Sequence, residues 1–299
     1  MRTFTPAIIG SIVAVAALNG CSNQQTSIPE LQNATTVRSA GYAQVKPRSL
    51  VYVSDGTRNL VAVFERDGRQ VGTITKDLSG PRGIFVDANH NLWIANQGPS
   101  NVLMFARGAT SPSAILRDAS NAPDDVTVCP DGSVYVANVI NGIAVYTGPK
   151  HHFARSMNFD AAQFAFVTCD AAGNVFATGV VGTFGTVIEF PGGHKSGAHL
   201  LPISSPGNLG GIKPDNAGRL LVVFGDAVLE YTEAGAPTGV QIQEGLGPDI
   251  ALDRAGKTLL AGNQSANDAV SVTFPGGKPG VAYKDDFSQV FGVAIDPEL

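Results

Sequence analysis

Residues 83–96, GIFVDANHNLWIAN, are a short apolar run, an Asx-rich turn and a second run of alternating character, the signature of two antiparallel strands joined by a tight turn. The same frame returns as DVTVCPDGSVYVAN from Asp125, FVTCDAAGNVFATG from Phe166, GIKPDNAGRLLVVF from Gly211 and DIALDRAGKTLLAG from Asp249. A third apolar run follows each copy and ends in an aromatic residue. Phe64, Phe105, Tyr146, Phe190, Tyr231 and Phe274 are spaced by 41, 41, 44, 41 and 43 residues. A fixed period in this range, made of short strands, predicts an all-β fold: a six-bladed β-propeller of four-stranded blades.

Five copies are complete and the sixth is split. LVYVSDG at Leu50 has no first strand before it, whereas FGVAIDPEL, residues 291–299, supplies a first strand with nothing after it. Sharing one blade between the N- and C-terminal strands closes the ring and removes the open sheet edge. Tyr52, Trp93, Tyr135 and Phe176, followed by Leu221 and Leu259, occupy one position of the second strand and are expected to fill space between blades. Cys129 and Cys169 fall in first strands of neighbouring blades, one residue apart in register. Successive residues of a strand point to opposite faces, which predicts two buried thiols instead of a disulfide. The five histidines, His90 among them, fall in turns and outer regions and are expected to be solvated loop residues.

The start of the chain carries a different signal. Met1-Arg2 precedes an apolar run from Ala7 to Leu18, which is about 12 residues long and too short for a permanent span. Leu18-Asn19-Gly20-Cys21 resembles the bacterial lipoprotein box, with Cys21 as the residue that receives lipid; Asn19 is an uncommon residue for its place. The expected organisation is a signal peptide over 1–20, a polar tether over 21–48 and the propeller over 49–299. Acylated Cys21 would be the membrane partner, because two or three chains hold where one does not. Ser22, not Asp, follows the cysteine, and in a Gram-negative cell this resemblance implies the outer membrane.

A net charge of −5 without clustered Lys and Arg argues against a nucleic-acid partner. Nucleophile elbow, zinc-protease and phosphate-loop motifs are absent from the sequence. The pattern Gly-x-x-x-Asp-x-x-Gly-Asn-Leu-Tyr-Val-Ala-Asn, approximated by each copy over residues 49–299, resembles the NHL-repeat and SMP-30/gluconolactonase-like six-bladed propellers. That resemblance implies the architecture, and it admits lactonases, lyases and plain binding scaffolds alike. Lactonase-type members hold a divalent cation with a Glu that opens an early blade. Here the matching places read Gly80-Pro81-Arg82 and Ala122-Pro123-Asp124, so that ligand is missing.

Propellers concentrate function at the channel mouth. Asp125 and Asp249 share a repeat position in blades three and six, which are diametrically opposed, at a place that is glycine in Gly83, Gly211 and Gly292. Two carboxylates facing across a narrow channel repel unless a cation or a donor lies between them. The candidate ligand-binding residues are therefore Asp125 and Asp249, with Arg82, Asp124, Asp55, Asn96, Asn138 and Asn263 on the surrounding rim, and a divalent cation such as calcium as the candidate cofactor. For the Asn and Asp residues that follow second strands, bonding to their own loop amides is the competing reading. Two functions follow: an envelope-anchored scaffold that presents its channel mouth to a protein, peptide or glycan, or a divalent-cation-dependent, lactonase-like hydrolase or lyase of the SMP-30-like type.

Overall fold

The computed structural model describes residues 49–118, 121–160 and 162–296. Cys21, the signal peptide and the tether lie outside the described residues. The described residues form six four-stranded antiparallel sheets. Blade 1 contains β1 (Leu50–Asp55), β2 (Leu60–Glu65) and β3 (Gln70–Ile74), with the last strand of the chain, β24, at its inner edge. Blade 2 is β4 (Pro81–Val86), β5 (Leu92–Asn96), β6 (Asn101–Phe105) and β7 (Ala114–Arg117). Blade 3 is β8 (Pro123–Val128), β9 (Val134–Asn138), β10 (Ile143–Thr147) and β11 (His152–Met157). Blade 4 is β12 (Gln163–Cys169), β13 (Val175–Val181), β14 (Phe184–Phe190) and β15 (His199–Pro206). Blade 5 is β16 (Leu209–Pro214), β17 (Leu220–Phe224), β18 (Ala227–Tyr231) and β19 (Pro237–Glu244). Blade 6 is β20 (Ile250–Leu252), β21 (Thr258–Asn263), β22 (Asp268–Thr273) and β23 (Pro279–Tyr283), after which β24 (Val290–Asp296) returns to blade 1.

The closure runs Leu50↔Asp296, Val51↔Ile295, Tyr52↔Ala294 and Val53↔Val293. The shared blade therefore forms as the split repeat requires.

Each interface between neighbouring blades has its own buried cluster. Tyr52, Val61 and Val63 of blade 1 meet Ile84, Leu92 and Ile94 of blade 2; Trp93 and Ala95 of blade 2 then meet Val126, Val134 and Val136 of blade 3. The second-strand bulky residue faces the next blade, and that blade answers with residues of the opposite parity, because stacked sheets meet front to back. In blade 6 the residue facing blade 1 is Leu260, whereas Leu259 packs back toward blade 5. The expectation of Leu259 is off by one because this turn is longer: Asp253 N–H bonds Thr258 O, five residues on, where Asp87 bonds Asn91 O, four on.

The same front-to-back rule corrects the reading of the cysteines. Cys129 and Cys169 form a disulfide, with Cα atoms 5.7 Å apart. Their one-residue offset does put them on opposite faces, but the front of blade 3 packs on the back of blade 4, so the offset brings the thiols together. His90 is likewise not a free loop residue. Its Nδ1 lies 2.6 Å from Asp296 Oδ1, and Arg107 Nε lies 2.8 Å from Asp296 Oδ2, which ties a blade 2 turn to the closing strand.

Candidate functional site

Inner strands enter the axis at the face where the loops between second and third strands also end. Gly83, Asp125, Gly211 and Asp249 stand at equivalent positions there, and each aspartate abuts the glycine of the preceding blade. A Cβ on Gly83 would lie 2.8 Å from Asp125 Cα, and one on Gly211 would lie 2.9 Å from Ile250 N and 2.8 Å from Asp249 Oδ1, closer than real Cβ atoms come. Glycine in one blade makes room for aspartate in the next.

Both carboxylates are fully buried. Asp125 Oδ2 accepts the Val167 N–H of blade 4 at 3.0 Å, and Asp125 Oδ1 has no hydrogen-bond partner. Asp249 Oδ1 accepts the Ile250 N–H at 2.8 Å, and Oδ2 accepts the Val293 N–H of blade 1 at 3.1 Å. Each side chain therefore belongs to an inter-blade contact. Burial raises Asp125 to about 6 and Asp249 to about 7. The Lys213 ammonium is the strongest influence lowering both, and Asp125 in turn raises Asp249.

Lys213 comes from β16 of blade 5. Its Nζ is buried without a hydrogen-bond partner and lies 5.7 Å from the ring centroid of Phe85, which comes from the opposed blade 2. Phe166 of blade 4 and Phe291 of blade 1, also opposed, stack with centroids 6.4 Å apart and planes inclined by 18°. Over Phe291 lies the Arg82 guanidinium, 4.1 Å from the centroid. Arg82 Nε and Nη2 donate to Gln97 Oε1 at 3.2 and 2.8 Å, and Gln97 Nε2 donates to Asp124 Oδ1 at 3.3 Å. Burial pushes Asp124 up to about 6 against the lowering effect of Arg82. Side chains of opposed blades thus meet across the axis in two pairs, Lys213 with Phe85 and Phe166 with Phe291.

The structure brings Arg82, Asp124, Asp125 and Asp249 into this axial group. Of the other four candidates, Asp55, Asn96 and Asn263 hold loops, and Asn138 bonds within its own strand, with its Oδ1 buried and without a hydrogen-bond partner. Asp55 Oδ1 accepts the Thr57 and Arg58 N–H groups, both at 2.9 Å, and its Oδ2 accepts that of Ser288 at 2.6 Å. Asn96 accepts Ser79 N–H at 2.7 Å and donates to Asp77 O at 3.0 Å. Asn263 accepts Ala266 N–H at 3.1 Å. Asn138 Nδ2 donates to Val136 O at 3.4 Å and helps to lower Asp118, although burial raises that acid overall.

Lys213, Gln97, Phe166 and Phe291 were not among the candidates. Lys213 had a readable signal: the same column holds Phe85, Thr127, Thr168, Ala251 and Ala294, and a lone cation there stands out. The donor set does not fit a calcium ion. An internal ammonium already acts on both aspartates, three of their four oxygens accept main-chain N–H groups, and among the described residues no three His, Cys, Asp or Glu side chains gather as a metal would require.

No protein-family model matches the chain, and no curated protein does. Solved structures do match in fold. A nidogen/laminin complex chain aligns with TM-score 0.67 at 12% identity, covering 83% of this chain and 98% of that one. A functionally unknown protein from Desulfotomaculum acetoxidans aligns with TM-score 0.61 at 14% identity, covering 84% and 100%. A catalytically inactive virginiamycin B lyase from Staphylococcus aureus, with quinupristin, aligns with TM-score 0.57 at 14% identity, covering 81% and 84%. At such identities the likeness shows a shared propeller fold and nothing of chemistry.

Proposed function

We propose that this chain is a non-catalytic binding propeller of the NHL-repeat and SMP-30-like kind, exported as a lipoprotein and held in the bacterial envelope by lipidated Cys21. The observation that carries the binding reading is the pair of side-chain contacts that cross the axis. Where a metal-dependent hydrolase or lyase would keep an open metal position and room for substrate, Phe166 stacks on Phe291 across the axis, and the Lys213 ammonium is the strongest influence lowering Asp125 and Asp249. The lyase named among the fold neighbours does not transfer its chemistry at 14% identity. Attachment rests on the resemblance of Leu18-Asn19-Gly20-Cys21 to the lipoprotein box, and Ser22 favours the outer membrane where there is one.

Two measurements test this reading. Melting of the purified protein with calcium, and again with EDTA, should leave Tm unchanged, because a ligand bound only by the folded state raises it. A calcium-dependent rise accompanied by lactone turnover would replace the scaffold with an enzyme. Radiolabelled palmitate should enter the parent and not Cys21→Ser; equal labelling of the two would remove the anchor.

A further inference from the structure

The outer halves of the blades divide into two unlike groups. From the start of the third strand to the end of the fourth, blades 2–4 (residues 101–117, 143–157 and 184–206) carry five Lys or Arg, four His and one acid, Glu189. The matching segments of blades 1, 5 and 6 (60–74, 227–244 and 268–283) carry three Lys or Arg and six acids. The exposed large apolar residues fall on the basic side as well. Ile115 on β7, Phe153 on β11 and Leu200 on β15 are 52, 58 and 45% exposed, one on each outer strand, and Ile140 after β9 and Phe184 at the start of β14 add two more in blades 3 and 4.

Some of these cations are used internally. Arg107 binds Asp296, Arg155 Nη2 donates to Gly193 O at 2.8 Å, and His199 lies 3.5 Å from Glu189. Arg117, Lys150, His152, His194 and Lys195 remain exposed. Outer strands also present main-chain N–H and C=O groups along a free edge.

We propose that the rim of blades 2–4 is a docking surface for an extended acidic polypeptide that carries interspersed apolar side chains. The inference deepens the binding reading above and rests on it. Three features select this occupant. Exposed bases with almost no acid call for a negative partner. Exposed Ile115, Phe153 and Leu200 call for apolar side chains as well, which a bare polyanion lacks. The three outer strands lie on a convex arc, so a flat bilayer would touch one blade at a time, whereas an extended chain follows the arc and can bond strand edges.

The test uses full-length protein in detergent and a fluorescein-labelled peptide of about 16 residues that alternates glutamate and valine, long enough to cover about 50 Å when extended. Anisotropy should show binding that weakens with added NaCl, and the same peptide with lysine for glutamate should not bind. The triple variant Arg117→Glu, Lys150→Glu, Lys195→Glu should bind at least tenfold more weakly, and so should Phe153→Ser. The triple variant should melt like the parent, because its three side chains are exposed, and Phe153→Ser, whose ring also meets Tyr146 edge-on with centroids 5.8 Å apart, is assayed well below its own Tm. Hydrogen exchange should slow in β7, β11 and β15 on adding peptide. Unchanged affinity in the triple variant, or protection at the axial mouth instead, overturns the rim while leaving the scaffold reading intact. Binding to phosphatidylglycerol vesicles but not to the peptide overturns it in favour of lipid. Metal-dependent turnover would instead strike at the scaffold reading itself.

Discussion

At the axis, Asp125, Lys213 and Asp249 are withdrawn from water and act on one another electrostatically, while the two acids accept main-chain N–H groups. At the rim of blades 2–4, Arg117, Lys150 and Lys195 stand in solvent beside exposed Ile115, Phe153 and Leu200. One repeat produces both environments. A propeller needs its inner strands to meet closely, so charge there must be matched across blades or neutralised. Outer strands meet no other blade along their free edge, so polar and apolar residues can collect there without harming the fold. The axis is therefore where substitutions should cost stability, and the rim is where they should cost only binding.

The largest effect should come from the closing strand. Removing residues 290–299 deletes β24, which pairs with β1 and packs between blades 6 and 2. The ring would open on two exposed sheet edges, and the expected outcome is insoluble protein. A soluble truncation with parental Tm would show that closure contributes nothing.

Next in size is the Cys129–Cys169 bridge, which closes a 40-residue separation between blades 3 and 4. Replacing both cysteines by alanine should cost about 4 kcal/mol by the loop-entropy relation. Denaturant melts of the variant, and of the parent with and without reductant, measure this directly. Gly83→Ala should follow at about 2 kcal/mol, because its Cβ would press on the Asp125 backbone at 2.8 Å. A shift of less than a few tenths of a kcal/mol in the same melts would mean that the inner strands have slack.

The repeat made the fold legible to the level of blade count and closing strand, because hydrophobic spacing reports which residues turn inward. It did not report which face of one blade meets which face of the next. That relation is what places Cys129 against Cys169, and the extra residue in the Asp253–Thr258 turn, which the repeat frame did not register, is what makes Leu260, not Leu259, the residue packed on blade 1. Asp125 and Asp249 were visible as a break in a glycine column, but their partners were not. Val167 and Val293 offer only main-chain N–H groups, which no side-chain pattern marks. Lys213 was visible in its column, yet its meaning depends on knowing that blade 5 reaches toward both acids.

The smallest predicted effect is a pH dependence whose sign the axis determines. Asp249 is raised to about 7, with Asp125 and Asp124 raised to about 6, in each case chiefly by burial. The folded protein therefore holds these protons more tightly than the unfolded chain. Their contribution to stability is fully present below the unfolded carboxylate value near 3.9 and is lost as pH rises through 6 to 7. Asp253 acts in the opposite sense: bonds from Lys257, Thr258 and Arg66 outweigh its burial and lower it, so its contribution fades only in stronger acid. Tm should accordingly fall as pH is raised from about 5 to about 8. Asp249→Asn should flatten that slope, since the substituted amide cannot titrate, even where its lost bond to Ile250 or Val293 lowers Tm at every pH. Lys213→Met should steepen the slope, because both aspartates then lose the cation that restrains their pKa values. If Asp249→Asn retained the full parental slope, the titrating group would lie elsewhere, and the axial charge cluster would not be what distinguishes the centre of this molecule from its rim.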